Sequence, residues 1–258
     1  MIETVAITRD VSPRLAECEL THLERVPIDV ERARAQHAAY QRVLSDAGCR
    51  IERLPAGADM PDCVFVEDIA LVVDEVAVIT RPGAASRQAE VPAVADALAG
   101  YRELRRVEAP ATVDGGDVLV AGRRVFVGRS SRTNGDAARA LQKILGPYGY
   151  TICELVVGGC LHLKSAATSI GDGVLLVNPE WIDTAALRGF ELVAVDRSEP
   201  SAANALRLED RIVASSAFPR TADRIRARGL RVETVDVTEL AKAEGAVTCC
   251  SLIVRHAS

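Results

Sequence analysis

Pairs of short apolar runs, each pair divided by turn residues, recur along the chain. The runs are rich in valine, leucine and isoleucine, and the dividing turns contain acidic residues or glycine, a combination typical of β-hairpins. Four such pairs occupy residues 69–80, 118–127, 166–177 and 205–214. The pattern therefore predicts four antiparallel hairpins.

Helical periodicity appears between the hairpins and is clearest from Asp29 to Ala47. One predicted helix face carries apolar or weakly polar residues at steps of three and four, namely Val30, Ala33, His37, Tyr40, Leu44 and Ala47. Asp29 suits the N-cap and Gly48 suits the position after the last turn. We therefore predict a helix whose striped face packs on the core.

Two further helices are predicted to end at Gly146 and Gly229. Thr133 or Asn134 is the candidate N-cap of the first, and Thr221 that of the second. Each of these four hairpins is thus followed by a helix-like stretch and then by a short strand-like run. The strand-like runs lie at residues 104–107, 152–156, 192–195 and 230–235, and a fifth, at 51–54, follows the helix from Asp29 to Ala47.

Five polar residues precede hairpins at a nearly constant interval. They are Asp68, Asp114, His162, Asn204 and Cys249, separated by about 46, 48, 42 and 45 residues, a spacing typical of supersecondary repeats. We call them the marker residues. The repeating unit is therefore a strand, a marker residue, a hairpin and a helix.

Pairing the two ends of the chain completes a fifth unit. The run Thr4–Thr8 is expected to form the last hairpin with Leu252–Val254. Five units arranged radially surround a central channel and bring the marker residues to one end of it. No linker divides the sequence, so we predict one domain over residues 1–258.

Composition limits the classes of function. The chain is 48% hydrophobic with a net charge of -5, which suits a large core and disfavours nucleic-acid binding. The N-terminus lacks a basic-then-apolar leader, and no apolar run approaches the roughly 18 residues of a membrane span. Seven cysteines without paired spacing do not form a disulfide framework, so we expect a reducing cytoplasm.

Cys249 is the candidate nucleophile. Cys249 and Cys250 are adjacent before a strand, so they point to opposite faces, and the spacing of the marker residues favours Cys249. A reactive cysteine must be a thiolate, which needs a stabilising partner or a cationic substrate. The alternative is a buried structural cysteine.

His162 and Asp114 fit the other roles of a catalytic triad. Histidine has a pKa near neutrality and suits general acid–base chemistry, and an aspartate can orient its ring. A hydrogen-bonded structural histidine is the alternative. Zinc held by Cys249, His162 and Asp114 is less favoured, because no local ligand spacing supports it.

Glu67 and Asp68 form a pair of adjacent carboxylates beside an apolar run. Such a pair is stable near a channel mouth if it holds a cation, and the planar donors of a guanidinium match it. Arg87 and Arg132 occupy equivalent places after two hairpins. This equivalence suggests a shared anion site, such as one for a substrate carboxylate.

Together these motifs resemble a known family. From about Asp29 onward the sequence is similar to bacterial and animal dimethylarginine dimethylaminohydrolases, members of the guanidino-group-modifying (pentein) superfamily. The matching segments are residues 54–55, 61–68, 79–84, 114–118, 132–134, 161–165, 202–204 and 248–251. The resemblance implies an α/β fold, a five-bladed pentein α/β propeller of ββαβ repeats with pseudo-fivefold symmetry.

The resemblance also implies a reaction. Nω-methylated arginine is hydrolysed to citrulline and methylamine or dimethylamine, without a cofactor, through a covalent intermediate. Carried over, Cys249 attacks the guanidinium carbon, His162 protonates the leaving amine and then activates water, and Asp114 orients His162. Glu67 and Asp68 correspond to the guanidinium-binding pair.

The remaining substrate contacts are also implied by the resemblance alone. Asp62 corresponds to an α-amine contact, and Arg87 and Arg132 to α-carboxylate contacts. The other residues assigned to the substrate pocket are Phe65, the lid residue Leu20, Ala243 and Glu244. The family usually has aspartate at the position of Glu244, so the extra methylene is expected to alter substrate preference.

Two other functions stay open at this stage. One is a deiminase-like or related guanidine hydrolase that releases ammonia from arginine or another guanidine. The other is a non-catalytic binding protein on the same propeller, which would not need to retain Cys249 and His162. The partner in each enzyme hypothesis is a small guanidino substrate, and a homodimer is the candidate assembly.

Overall fold

Fifteen strands form five separate three-stranded sheets in the computed structural model, which describes residues 2–257. The strands are β1 (Ile2–Arg9), β2 (Arg50–Leu54), β3 (Ala70–Val72), β4 (Val76–Ile79), β5 (Glu103–Arg106), β6 (Val118–Ala121), β7 (Arg124–Arg129), β8 (Thr151–Val156), β9 (Ala167–Gly171), β10 (Val174–Val177), β11 (Glu191–Ala194), β12 (Ala205–Leu208), β13 (Arg211–Ser215), β14 (Arg231–Val235) and β15 (Leu252–Ala257). The helices are α1 (Val30–Asp46), α2 (Val91–Ala99), α3 (Ala137–Leu145), α4 (Leu163–Ala166), α5 (Pro219–Arg226) and α6 (Thr238–Ala241). Among residues 2–257, no helix combines the length and the apolar character needed to cross a bilayer.

Each sheet combines an antiparallel hairpin with a parallel third strand, and we call a sheet with its connections a blade. Four blades follow the chain in the orders β3-β4-β5, β6-β7-β8, β9-β10-β11 and β12-β13-β14. Helices α2, α3 and α5 connect the second strand to the third in three of them. Between β10 and β11 the chain forms only a single 3-10 turn, Thr184–Leu187, so the prediction of a helix there is wrong.

The two ends of the chain form the remaining blade. Strand β15 pairs antiparallel with β1, with Val254 opposite Val5 and Leu252 opposite Ile7. Strand β1 also pairs in parallel with β2, which follows α1. The predicted closure of the fifth hairpin by the N-terminal strand is therefore confirmed.

Five hydrophobic clusters form the core, one at each junction between adjacent blades. Successive residues of one strand serve two junctions, because Val5 and Ile7 pack toward the blade of β3 while Ala6 packs toward the blade of β12. Full burial of a valine or isoleucine contributes about 1.5–3 kcal/mol. Strands buried on both faces explain why the hairpin sequences are apolar runs rather than alternating patterns.

A central cavity of about 330 Å³ confirms the predicted channel. The first strand of every hairpin contributes to its wall, through Val72, Val120, Ser169, Leu206 and Ile253. Glu67, Lys164 and Thr248 also line it, and each lies just before or after the start of such a strand. The ring of blades therefore brings polar residues from distant parts of the sequence to one place.

The predicted helix ends are partly correct. Helix α1 begins as expected, because the Asp29 side chain accepts the N–H of Arg32, and Gly48 follows the helix with φ +93°. Thr221 is not an N-cap, since α5 begins at Pro219. The Thr221 hydroxyl instead accepts the N–H of Asp196.

Candidate active site

The marker residues lie where the chain turns into the first strand of each hairpin. Asp68 and Cys249 lie within short 3-10 turns, and Asp114 and His162 directly precede helical turns. Asn204 directly precedes β12. The five marker residues therefore occupy equivalent positions in the blades, just before the first strand of each hairpin.

The His162 imidazole lies among buried carboxylates. Its Nε2 is 3.2 Å from Oδ2 of Asp114, and its Nδ1 is 3.7 Å from Oδ1 of Asp68. Burial by itself would lower the pKa of His162, but the charges of Asp68, Asp117 and Asp114 outweigh burial and raise this pKa to about 9. The ring therefore carries a proton at neutral pH.

Gly116 permits this close arrangement. A Cβ atom at Gly116 would lie 2.6 Å from Nδ1 of His162 and 2.8 Å from Oδ1 of Asp68. Both distances are well inside van der Waals contact. The backbone N–H of Gly116 instead donates to Asp68 at 3.0 Å. The glycine in the segment 114–117 is thus required by the approach of the histidine and the carboxylate.

The two aspartates of this segment anchor neighbouring loops. Oδ1 of Asp114 accepts the N–H of Gly83 at 2.9 Å, and the Asp114 N–H donates to the Thr133 hydroxyl at 3.1 Å. Thr133 therefore supports Asp114 and does not cap α3, contrary to one sequence expectation. Asp117 accepts the N–H of Leu163, directly after His162, at 2.9 Å. These hydrogen bonds fix the position of His162 relative to Asp114.

The Arg87 guanidinium is buried beneath the site. It pairs with Asp68 at 2.5 Å and with Glu90 at 2.8 Å, and it donates to the backbone carbonyls of Phe65 and Asp62. Burial alone would lower its pKa, but the paired carboxylates raise the pKa of Arg87 well above its ordinary value. Arg87 thereby fixes the position of Asp68 and of the segment that precedes it.

Glu67 belongs to a second buried network of hydrogen bonds, which also includes Asn204. Lys164 and the Thr248 hydroxyl donate to the two oxygens of Glu67, at 2.7 and 2.6 Å. The Asn204 amide donates to the Thr248 hydroxyl at 2.9 Å and to the Lys164 carbonyl at 3.2 Å, and it accepts the Thr248 N–H at 3.0 Å. The fifth marker residue therefore joins the segments that carry His162 and Cys249.

Cys249 is partly exposed, whereas Cys250 is fully buried. The Cys250 thiol contacts the Ala246 carbonyl at 3.5 Å. Burial raises the pKa of the Cys249 thiol, and the charges of Glu67 and Asp68 raise it further. The Cys249 thiol is therefore protonated at neutral pH.

Residues 19–25, which we call the lid segment, lie over the groups assigned to the substrate's amino acid end. The Glu19 N–H donates to Asp62 at 3.1 Å, and Arg132 donates to the Thr21 hydroxyl at 3.2 Å. The Glu244 carboxylate accepts three backbone N–H groups of this segment. Asp62, Arg132 and Glu244 are thus brought together around one loop.

The other pocket residues pack in the neighbouring core. Phe65 and Ala243 are buried, and Leu20 and Cys249 are partly buried against the same cluster. Gly245 fits because a Cβ there would overlap with Cε1 of the Phe65 ring and lie 2.5 Å from its Cζ. All nine residues assigned to the substrate pocket thus lie in the site, its floor or the contacts of the lid segment.

Curated bacterial proteins match the chain along most of its length. It is 38% identical over 252 residues to the N(G),N(G)-dimethylarginine dimethylaminohydrolase of Streptomyces coelicolor, with 97% of each chain covered. Over 226 residues it is 34% identical to the protein of the same name from Pseudomonas aeruginosa, with 87% of this chain and 89% of that one covered. The chain belongs to the dimethylarginine dimethylaminohydrolase family.

Solved structures of dimethylarginine dimethylaminohydrolase share the fold. A cysteine-to-serine mutant from Pseudomonas aeruginosa, complexed with citrulline, gives a TM-score of 0.92 at 32% identity over 99% of both chains. The N-terminal domain of ArgZ, a cyanobacterial arginine dihydrolase, gives 0.88 at 19% identity over 98% of both, which shows the fold alone. No family model matches the chain. The resemblance and the five-bladed propeller predicted from the sequence are confirmed.

Among residues 2–257 of this dimethylarginine dimethylaminohydrolase homologue, one group of side chains has ligand atoms close enough to share a metal ion. The ligand atoms of Asp68, Asp114 and His162 lie within 4.8 Å of one another. A cation there would compete with Arg87 for Asp68 and with the proton on His162. The group also omits Cys249, unlike the zinc set considered from the sequence.

Lys164, Thr248 and Asn204 are neighbours of the predicted catalytic residues, and no role was predicted for them from the sequence. Lys164 and Thr248 lie inside the matching segments 161–165 and 248–251, and Asn204 was recognised only by its spacing. Their place depends on partners in other blades. The sequence signals were the closeness of Lys164 to His162, the closeness of Thr248 to Cys249 and the spacing of Asn204. None of these signals reveals which groups the side chains bond to.

Proposed function

We propose that this protein hydrolyses Nω,Nω-dimethylarginine and Nω-monomethylarginine to citrulline and the corresponding methylated amine. The observation that carries this proposal is a protonated His162 held by Asp114, beside Asp68 and at the channel end that also holds Cys249. An acid, a thiol and a carboxylate pair are what hydrolysis of a cationic guanidine requires. Family membership supports the methylated substrate.

The first half of the reaction uses the charge of the substrate. The guanidinium cation enters beside Glu67 and Asp68 and favours ionisation of the nearby Cys249 thiol. The thiolate forms a bond to the guanidinium carbon, and the positive charge of the substrate is neutralised. His162 then gives its proton to the substituted nitrogen as the carbon–nitrogen bond breaks. Methylamine or dimethylamine leaves, and an S-alkylthiouronium remains on Cys249.

The second half returns the site to its starting state. Neutral His162 takes a proton from water, and the resulting hydroxide bonds to the same carbon. The carbon–sulfur bond then breaks and its electron pair returns to Cys249 as thiolate, while the hydroxyl group on the carbon loses its proton to solvent and becomes the carbonyl of citrulline. Without the cation beside it, Cys249 takes up a proton from solvent again. His162 is protonated again, and Asp114 stabilises its charge throughout.

Two arginines and Asp62 complete the proposal at the other end of the substrate. Asp62 receives the α-amine, and Arg132 binds the α-carboxylate through N–H groups other than the one bonded to the Thr21 hydroxyl. Arg87 has five N–H donors, and Asp68 engages one of the two hydrogens on Nη1. We assign the other Nη1 hydrogen of Arg87 to the α-carboxylate of the substrate. A substrate without a carboxylate would lose these contacts.

The protein is expected to act in a reducing cytoplasm without a cofactor. All seven cysteines are free, which suits a reducing compartment. Oxidation of Cys249 would remove the thiolate that the reaction needs.

Amine release tests the proposal directly. Citrulline and dimethylamine are measured from Nω,Nω-dimethylarginine, with arginine and agmatine as competing substrates. We expect activity in the wild type, none in Cys249→Ser, and near-normal activity in the thiol control Cys153→Ser. An inactive wild type, an active Cys249→Ser variant, or faster ammonia release from arginine would each contradict it.

A further inference from the structure

Glu244 has a backbone conformation that is rare for a residue with a side chain. Its φ is +59°, in the left-handed region, and it lies three residues after α6 ends at Ala241. Non-glycine residues held there cost on the order of 1–3 kcal/mol and are concentrated at functional sites. Contacts of Glu244 with the surrounding structure must therefore hold it in this conformation.

The carboxylate of Glu244 binds three consecutive backbone amides of the lid segment. Oε2 accepts the N–H of Thr21 at 3.0 Å, and Oε1 accepts those of His22 and Leu23 at 2.6 and 2.7 Å. Successive N–H groups that converge in this way form an anion-binding concavity. Here the anion is supplied by the chain itself, and it closes the lid segment onto the turn after α6.

The length of the side chain matters for this contact. An aspartate at the same position would be shorter by one carbon–carbon bond of about 1.5 Å. Amides bound at 2.6–3.0 Å by glutamate would then lie beyond hydrogen-bond distance unless the backbone moved. The contact is thus a property of glutamate at position 244.

The lid segment also contacts two groups that the proposed function gives to the substrate. Asp62 accepts the Glu19 N–H, and Arg132 donates to the Thr21 hydroxyl. These contacts use one acceptor site of Asp62 and one N–H of Arg132, so both groups can still bind an amine and a carboxylate while the lid segment is closed. The closed lid segment, which includes Leu20, therefore covers the place assigned to the substrate's amino acid end.

We infer that Glu244 is a positioning residue that latches the lid segment closed, through the amides of residues 21–23. Its charge is directed at the lid segment and not at the guanidinium of the substrate. Because the lid segment carries Leu20, which is assigned to the substrate pocket, the latch raises the apparent affinity for substrates that have a free amino acid end. The latch itself is independent of the proposed function; the effect on affinity rests on it.

Hydrogen exchange in the absence of substrate tests the latch. Backbone exchange of residues 21–23 is measured by mass spectrometry in the wild type, Glu244→Gln and Glu244→Asp. Glutamine keeps the length of the side chain and removes its charge, whereas aspartate keeps the charge and shortens the side chain. Both variants are expected to exchange at least roughly tenfold faster there, because charge-assisted hydrogen bonds are lost.

Glu24→Gln is the matched control, since Glu24 is an exposed acid of the same segment and no hydrogen bond of its side chain occurs within residues 2–257. Its exchange at residues 21–23 is expected to equal that of the wild type. Equal exchange in core strands such as β7 and β13 shows that all variants are folded. Wild-type protection at residues 21–23 in Glu244→Gln would overturn the latch whether or not the protein is an enzyme.

Kinetics separate the latch from direct contact with the substrate. If Glu244 is a latch, KM for Nω,Nω-dimethylarginine rises in both Glu244→Gln and Glu244→Asp, since both release the lid segment that carries Leu20. If Glu244 binds the guanidinium, loss of its charge in Gln raises KM while Asp preserves it. An unchanged KM in Glu244→Asp would overturn the effect of the latch on affinity. Absence of turnover in the wild type would instead refute the proposed function, and the exchange result would still decide the latch.

Discussion

At the residue scale, the pH dependence of the reaction follows from two shifted pKa values. Burial opposes the charge on His162, but the surrounding carboxylates raise its pKa to about 9. Burial and the same negative environment raise the pKa of Cys249. The free site therefore holds a protonated imidazole and a neutral thiol at pH 7, whereas the proposed transition state holds the imidazole proton but not the thiol proton.

We therefore expect kcat/KM to rise tenfold per pH unit up to about 9 and then to become constant. Below this pH, one proton must leave Cys249 before the reaction; above it, His162 has already lost one, so the number of protons no longer changes. Asp114→Asn removes a negative charge and should move the break to lower pH. A profile that is flat between pH 6 and 8 would contradict this proton count.

The network around Asn204 gives a second prediction. Thr248→Val leaves one Glu67 oxygen and one N–H of the Asn204 amide without a buried partner, at a cost of about 1–3 kcal/mol. Because Thr248 directly precedes Cys249, we expect kcat to fall with little change in KM. Thr248→Ser keeps the hydroxyl and should restore kcat. Equal losses in Val and Ser would show that the methyl group, not the network, matters.

Residues whose type alone indicates their chemistry could be identified from the sequence. Residues whose role depends on their hydrogen-bond partners could not. A cysteine, a histidine and paired acids are recognisable alone, and their spacing placed them together. Lys164 and Asn204 are ordinary polar residues until the ring brings Glu67 and Thr248 to them. No local pattern contains that information, because the partners lie in other blades.

At the scale of elements, local signals were reliable where no distant loop competed for them. Asp29 and Gly48 mark the ends of α1 as predicted. Thr133 and Thr221 have the right chemistry for capping, but their hydroxyls accept N–H groups from Asp114 and Asp196 instead. Two residues that local rules assign to helix ends thus form tertiary hydrogen bonds instead.

Helix α1 supports the strand that follows the site, which can be tested. The buried Tyr40 hydroxyl lies 2.7 Å from Oγ of Ser251, directly before β15. Tyr40→Phe should lower the free energy of unfolding by about 1–3 kcal/mol, because the Ser251 hydroxyl is left unpaired in the core. Chemical denaturation measures the change.

Tyr101→Phe is the matched control, since the Tyr101 hydroxyl bonds to Arg50 and Glu52 near the surface, where water can replace it. We expect its effect to be the smaller of the two. A Tyr40→Phe protein as stable as the wild type would mean that the contact between α1 and β15 adds nothing to stability.

At the scale of the whole molecule, the ring makes every blade depend on two neighbours. The five core clusters lie between blades, so no blade buries its apolar faces alone. The repeat and its closure were visible in the sequence because each blade repeats the same apolar pattern. The missing helix between β10 and β11 was not, because packing at the junctions, rather than the connection, defines a blade.

One blade is closed without a covalent hairpin, because β1 and β15 come from opposite ends of the chain. Any blade should therefore tolerate the same arrangement. We predict that joining residue 258 to residue 1 by a short glycine-rich linker, and opening the chain at Gly122–Arg123, yields a folded and active protein. The cut falls in the turn between β6 and β7, whose pairing would then replace the closure by β1 and β15.

Two comparisons make this permutation decisive, with unfolding midpoint and dimethylamine release as the measurements. Opening the same joined chain at Gly115–Gly116 cuts the turn that approaches His162 and Asp68, so we expect a folded ring with little activity. Deleting residues 252–258 removes β15 and exposes the cluster shared by Val5 and Ile7, so we expect no cooperative unfolding. If the Gly122 permutant fails to fold, closure by the chain ends is specific to one blade, and the blades are not equivalent.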